Sequence, residues 1–258
     1  MSRFGQPLRQ SLAWPITALA KEYPQGWRVA MHRHRRGQLI YAKSGVMHVT
    51  TQEGIWIVPP QRSLWIPAGM QHEINMEGRV AVRMLYLDRA TSVSFGAHCK
   101  VLTVSNLLHE LILAAVQAHA EKHRQRMGML APLLLHELQT AGEIAFHIPV
   151  PSDPRLKSVC QRLINGTSHT ETLEQLAARA GASSRTLARL FESELHMSFV
   201  RWRQHVRLAR ALSQMSRGLS IKAVARDAGY ANCSAFSSMF HRVLGVTPTD
   251  YMKQAVKL

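Results

Sequence analysis

Leu173-Glu174-Gln175-Leu176-Ala177-Ala178-Arg179-Ala180-Gly181 and Ile221-Lys222-Ala223-Val224-Ala225-Arg226-Asp227-Ala228-Gly229 align without gaps. Each has an apolar residue at its first and fourth positions, Ala at the fifth and eighth, and Gly at the ninth. Two helices crossing at a steep angle need a small residue where their backbones approach (Ala177, Ala225). The tight turn between them favours a residue that tolerates positive φ (Gly181, Gly229). A second helix follows each glycine. Ser184-Arg185-Thr186-Leu187-Ala188-Arg189-Leu190-Phe191 opens on a serine suited to N-capping. It buries Leu187, Leu190 and Phe191 and leaves Arg185, Ala188 and Arg189 on the opposite face. The copy runs from Cys233 to Phe240 with Asn232 as its cap. It buries Phe236, Met239 and Phe240 and presents Ser234, Ser237 and Ser238. The repeat predicts an all-α C-terminal domain of two helix-turn-helix units.

Between the units, Ser198 to Arg217 carries Val200, Trp202, Val206, Leu208, Ala209 and Leu212 together with five arginines. A helix of that length spans roughly 30 Å at about 1.5 Å per residue. That is close to the roughly 34 Å between successive major-groove faces of B-DNA. Helical hairpins with Ala and Gly at the crossing are common, and one copy alone would not decide. Two copies, basic flanks and a strut of matching length select a reader of double-stranded DNA.

Residues 155–252 resemble the DNA-binding domain of the AraC/XylS family of bacterial transcription regulators. The resemblance is carried by Ala225-Arg226-Asp227-Ala228-Gly229-Tyr230, by Phe236-Ser237-Ser238-Met239-Phe240-His241-Arg242 and by Gly245-Val246-Thr247-Pro248-Thr249-Asp250-Tyr251. It implies DNA contacts from Arg185, Ala188 and Arg189 in the first recognition helix and from Ser234, Ser237 and Ser238 in the second. It also implies a homodimer, and RNA polymerase as a partner if the chain is an activator. Many relatives have a long basic or amide side chain where this chain has Ser238. Serine lacks the guanine-reading fork of arginine, so the first helix is expected to carry most base specificity. Arg185 and Arg189 lie four apart on one face, and each suits either guanine or a phosphate.

Ile148-Pro149-Val150-Pro151-Ser152-Asp153-Pro154 holds three prolines in seven residues. That composition stiffens a chain and disfavours a helix, so 148–154 reads as a linker before a reader at 155–258. Upstream, Leu107, Leu108, Leu111, Ile112 and Ala115 repeat at helical spacing behind Ser105, a candidate N-cap. Leu130, Leu133, Leu134 and Leu138 form a second stripe. Residues 105–147 therefore read as a helical segment too apolar to lie free, which either covers the neighbouring domain or pairs two chains. Residues 1–104 read as β. Val46–Thr51 and Ile55–Val58 flank a turn, Ser63–Ile66 is a further strand, and Val80–Leu87 alternates with period 2. Several short strands at this spacing suggest a small barrel.

Within that barrel Gly26, His32, His34, Gln38 and Gly45 follow the spacing G-x5-HxH-x3-Q-x6-G, and Pro67–His72 follows PxGxxH. Residues two apart on a strand share a face, so His32 and His34 can converge, and Gln38 and His72 join them if the strands wrap. The pair of motifs resembles those of the cupin fold, with Gln38 where metal-binding cupins usually have glutamate. The second motif departs further, with Gln61 in place of an early glycine and Met76 in place of asparagine. The resemblance implies a small-molecule effector site at His32, His34, Gln38 and His72. Three readings stay open there: a divalent transition metal on three imidazoles and an amide, direct contact with an organic effector, or a structural role. Arg33, Arg35 and Arg36 read as a solvated face, and Trp56 and Trp65 as core.

The charge balance agrees with a polyanionic partner. Lys and Arg number 32 against 16 Asp and Glu, a formal net charge of +16. The excess is spread over both halves, with 16 Lys/Arg against 7 Asp/Glu from residue 152 onward, so charge alone does not locate the DNA site. Three cysteines without CxxC spacing argue against a disulfide framework or thiolate zinc site, and they favour a reducing cytoplasm. No signal peptide or membrane span is expected. The function these features predict is an effector-responsive transcription regulator and not an enzyme; the family resemblance implies control of an adjacent transport or metabolic gene. The competing classes are a metal-dependent cupin enzyme with a fused helical domain and a non-specific chromosome-binding protein.

Overall fold

The alternating runs of the N-terminal half form antiparallel strands that extend further than their apolar cores suggest. In a computed structural model, which describes residues 15–144, 146–164 and 171–256, these are β1 (Ile16–Tyr23), β2 (Arg28–His32), β3 (Gly37–Thr51), β4 (Gly54–Val58), β5 (Arg62–Ile66), β6 (His72–Leu87), β7 (Lys100–Thr103) and β8 (Glu143–Ile144). They make one sheet in the order β1-β6-β3-β5-β7-β8, with β2 added to β6 and β4 to β3. The expected hairpin is present, with Met47 opposite Val58 and Thr51 opposite Gly54.

β3 and β6 lie side by side along most of their length, and their register breaks between Ala42 and Val46. Gly45 sits in the break at φ +74°, and a Cβ there would lie 2.4 Å from the Arg79 carbonyl oxygen. Only glycine allows that approach, and a bulge of this kind bends the strands. The sheet curls, so that Ile40, Ala42, Val82 and Met84 share one apolar interior with Met47, Val49, Ile74 and Met76. This is the cupin-like barrel.

The outside of the barrel is covered twice. After a short α1 (Arg89–Ser92) and β7, the chain forms α2 (Asn106–Ala120) and α3 (Arg124–Thr140). Ser105 caps α2, accepting from the Leu108 N–H. Leu108, Leu111, Ile112 and Ala115 of α2, with Leu134 and Leu138 of α3, pack on Leu39, Tyr41, Leu85 and Leu87. Each such side chain contributes about 1.5–3 kcal/mol of transfer free energy. The apolar stripe is therefore mainly cover for the barrel. Leu107 and Leu133 do not follow it and remain 49% and 44% exposed. Nor is 105–147 helical to its end: β8 returns to pair with β7, and Ile148 bridges Ile55.

Another part of the outer face, Val46 and Ile57, shares a core with the helical half. That half comprises α4 (Pro154–Ile164), α5 (Leu173–Arg179), α6 (Ser184–Leu195), α7 (Phe199–Ser216), α8 (Ile221–Asp227), α9 (Cys233–Leu244) and α10 (Pro248–Val256). The linker is shorter than expected. Pro154 opens α4, where a missing N–H is harmless, and the Asp153 carboxylate accepts from the Leu156 N–H. Nor does the linker hold the halves apart. The Pro149 carbonyl accepts from the Trp202 indole at 3.1 Å, and the His147 carbonyl lies 2.9 Å from His205 Nδ1. Barrel and reader are docked along α7.

Candidate functional site

The two helix-turn-helix units are α5–α6 and α8–α9. Gly181 and Gly229 take φ of +65° and +77°, as the turns require, and Ala177 and Ala225 are buried at the crossings. The cap of α6 is Ser183, not Ser184: its hydroxyl accepts from the Thr186 N–H. The Ala182 N–H still closes α5 on the Ala177 carbonyl, so Ser183 is the extended residue that can turn its oxygen onto the new helix. The one-residue shift leaves the face unchanged. Leu187 and Phe191 are buried and Leu190 is half-buried. Arg185 and Arg189 are exposed with Ala188 half-buried beside them. In α9, Asn232 caps through the Ala235 N–H, and Phe236, Met239 and Phe240 are buried. Ser234 and Ser238 are exposed and Ser237 is half-buried. The strut α7 has 18 residues, hence about 27 Å.

At the barrel mouth three histidines converge. His32 ends β2 opposite His72 on β6, while His34 lies beyond the strand end, so the shared-strand argument holds for His32 alone. Ring centroids are 4.2 Å apart for His32 and His72, 4.8 Å for His32 and His34, and 5.4 Å for His34 and His72. One ring nitrogen from each lies within 4.8 Å of those of the others. His32 Nδ1 contacts the Ala30 carbonyl at 2.7 Å and His72 Nδ1 the Met70 carbonyl at 3.0 Å. A carbonyl accepts only, so in the neutral rings Nδ1 carries the proton and Nε2 keeps its lone pair. Burial, then the charges of His32 and His72, lowers His34 to about 4. Burial also lowers His72 to about 4, against the opposing Met70 carbonyl. Both are neutral at pH 7.

Gln38 is buried behind them. Its Nε2 donates to the Tyr86 hydroxyl at 3.1 Å, and the Tyr86 ring packs edge-on to His34 at 5.1 Å. Gln38 thus joins the cluster through Tyr86, which the sequence reading placed on an alternating strand without giving it a site role. His34 Nε2, His72 Nε2 and Gln38 Oε1 are buried and have no hydrogen-bond partner among the described residues. Gln61, at the expected glycine of the second motif, has φ +62°, which explains why glycine suits that position. Arg36 departs from the expected solvated face: it is buried. Burial would raise the Asp88 carboxyl, but hydrogen bonds from Thr91, joined by the Arg36 charge, lower it. Trp65 is core as read, and the buried Trp56 stacks on His147 at 4.6 Å.

Three unsatisfied acceptors around neutral imidazoles suit an electron-pair acceptor better than an anion. Imidazole sets hold divalent transition metals at about 2.0–2.1 Å, and here the three ring nitrogens lie within 4.8 Å of one another.

Residues 15–138 match the family described as AraC-like ligand binding domain, and residues 176–254 match the helix-turn-helix domain family. The HTH-type transcriptional regulator NimR of Escherichia coli strain K12 is 33% identical over 223 residues, covering 86% of this chain and 81% of its own. The HTH-type transcriptional regulator GadX of the same strain is 24% identical over 234 residues, covering 86% and 78%. Unsaturated fatty acid bound ToxT from Vibrio cholerae aligns over 94% of this chain and 96% of its own, at 12% identity and a TM-score of 0.40. The chain belongs to the AraC/XylS family: it is a transcription regulator with a ligand-binding barrel and a DNA-binding double helix-turn-helix, not an enzyme. Among the described residues, no helix is long and apolar enough to cross a membrane.

Proposed function

We propose that the barrel senses an effector at His32, His34 and His72, with Gln38 behind them, and thereby modulates promoter binding by the reader. One observation carries this reading: the unsatisfied lone pairs of His34, His72 and Gln38 meet inside the domain that matches a ligand-binding family. A divalent transition metal fits those lone pairs, held by the three imidazoles with the Gln38 amide oxygen in reserve. An organic effector bearing N–H or O–H donors is the second reading, since such donors would meet the same unsatisfied lone pairs. The reader meets DNA through Arg185, Ala188 and Arg189 on α6 and through Ser234, Ser237 and Ser238 on α9. A homodimer forms through the exposed remainder of α2 and α3, namely Leu107, Met129 and Leu133. The chain works in the cytoplasm on a neighbouring transport or metabolic gene, and as an activator it would also touch RNA polymerase.

The test is equilibrium dialysis of the full chain against Zn²⁺, Ni²⁺ and Co²⁺, beside a promoter reporter. The expected result is one tightly held ion per chain, lost in the His32/His34/His72 triple alanine variant, with DNA affinity that differs between loaded and stripped protein. Metal-independent DNA binding in a wild-type chain that holds no ion would turn the reading to the organic effector. A triple variant that folds and responds to effector normally would place the sensor site elsewhere.

A further inference from the structure

One arginine of the barrel reaches the second reading helix. Arg62, the first residue of β5, is only 6% exposed. Its Nη1 donates to the Gln61 carbonyl at 2.9 Å and its Nη2 to the Leu244 carbonyl at 3.1 Å. Leu244 is the last residue of α9, and Gly245 closes that helix at φ +73° with its N–H on the His241 carbonyl. The guanidinium therefore sits at the negative end of the α9 dipole. The Tyr251 hydroxyl of α10, buried without a hydrogen-bond partner among the described residues, interacts with the same charge. A buried charge with such weak compensation is costly, and an apolar side chain would join the two halves at less cost. What the guanidinium adds is direction: it fixes the end of α9 against the barrel wall.

Direction matters more for α9 than for α6. Serine has little reach, so a small displacement of α9 breaks the contacts of Ser234, Ser237 and Ser238. Arg185 and Arg189 on α6 have long stems that can follow the groove. Other polar links from the barrel and linker fall on the strut or on α6: Glu77 on Ser213 and Arg217, the Pro149 and His147 carbonyls on Trp202 and His205, and the Ser152 and Asp153 N–H groups on Glu194 of α6. We infer that Arg62 is a positioning residue for the second reading helix: through the Leu244 carbonyl it sets where α9 enters DNA, so the barrel controls sequence preference at one half of the binding site. The inference rests on reading the α9 serines as DNA contacts.

The experiment uses the full chain and sites selected from a randomised duplex pool. Arg189→Ala marks the half read by α6, and the Ser234/Ser237/Ser238 triple alanine variant marks the half read by α9. Arg62→Met keeps the apolar stem without the charge. It is expected to lose discrimination on the order of tenfold at the α9 half and none at the α6 half. Arg62→Lys, which keeps a cation at the helix end, should restore part of it. If Arg62→Met does not fold, Arg62→Gln serves in its place. Wild-type preference at both halves, or equal losses at both, overturns the inference. If the serine variant changes its half while the Arg62 variants do not, the inference alone fails. If the serine variant changes neither half, the reading beneath it fails as well.

Discussion

At the scale of single residues, Arg189 and Arg185 give the sharpest expectation. They stand four apart on the exposed face of α6 with the small Ala188 between them. Arg189→Ala should relax preference at one base pair, costing about 1–3 kcal/mol where the contact is bidentate to guanine. Arg185→Ala should act likewise at a neighbouring base, or weaken all sequences equally if it holds a phosphate. Competition with base-substituted duplexes separates these outcomes. A double variant with unchanged affinity and preference would remove α6 from the interface. These residues were legible in the sequence because helix periodicity fixes a face whatever the exact start, as the Ser183 cap shows. The proposed sensor site was only partly legible. The spacing of His32, His34 and His72 marked it, but the link from Gln38 through Tyr86 depends on strand pairing between residues far apart in the chain.

At the scale of elements, α7 joins the two reading units and fastens them to the barrel. Trp202 is wholly buried, and its indole donates to the linker. Trp202→Ala should cost about 3–5 kcal/mol of unfolding free energy, while Trp202→Phe should cost far less. Urea denaturation followed by far-UV circular dichroism checks both, and a cost below about 1 kcal/mol for Trp202→Ala would mean that the strut does not depend on that ring. On the helical cover of the barrel, the exposed Met129 and Leu133 lie four apart on one face of α3. Met129→Lys with Leu133→Lys should leave the fold intact and convert a dimer to monomers in sedimentation. A wild-type chain that is monomeric at micromolar concentration contradicts the proposed interface. The sequence showed the two apolar stripes but not their partner, because periodicity reports that a face is buried and not what buries it. The same limit hid the docking of barrel and reader: three prolines announced a stiff segment, while Val46 and Ile57 announced nothing of the reader they face.

At the scale of the whole molecule, the docked halves are joined by a polar cluster in which Glu77 meets His48, Ser213 and Arg217. Burial alone would raise the Glu77 carboxyl. The hydrogen bonds from His48 and Ser213 and the charges of His48 and Arg217 outweigh it and hold the group at about 2. Because the folded value lies below the ordinary 4.5, the stabilisation is complete above about pH 4.5 and is lost as pH falls toward about 2. Glu77→Gln should flatten the dependence of the urea midpoint on pH in that window, and an unaltered slope would show that the cluster does not hold the halves together. On the proposed reading, one chain meets two successive major grooves with α6 and α9 on a strut of about 27 Å. Hydroxyl-radical footprinting of the full chain on a selected site tests it most directly. The predicted result is two protected patches per chain, about 10 base pairs apart on one face of the duplex, with no such pattern on unrelated DNA. A single patch per chain, or equal protection of any sequence, would contradict it.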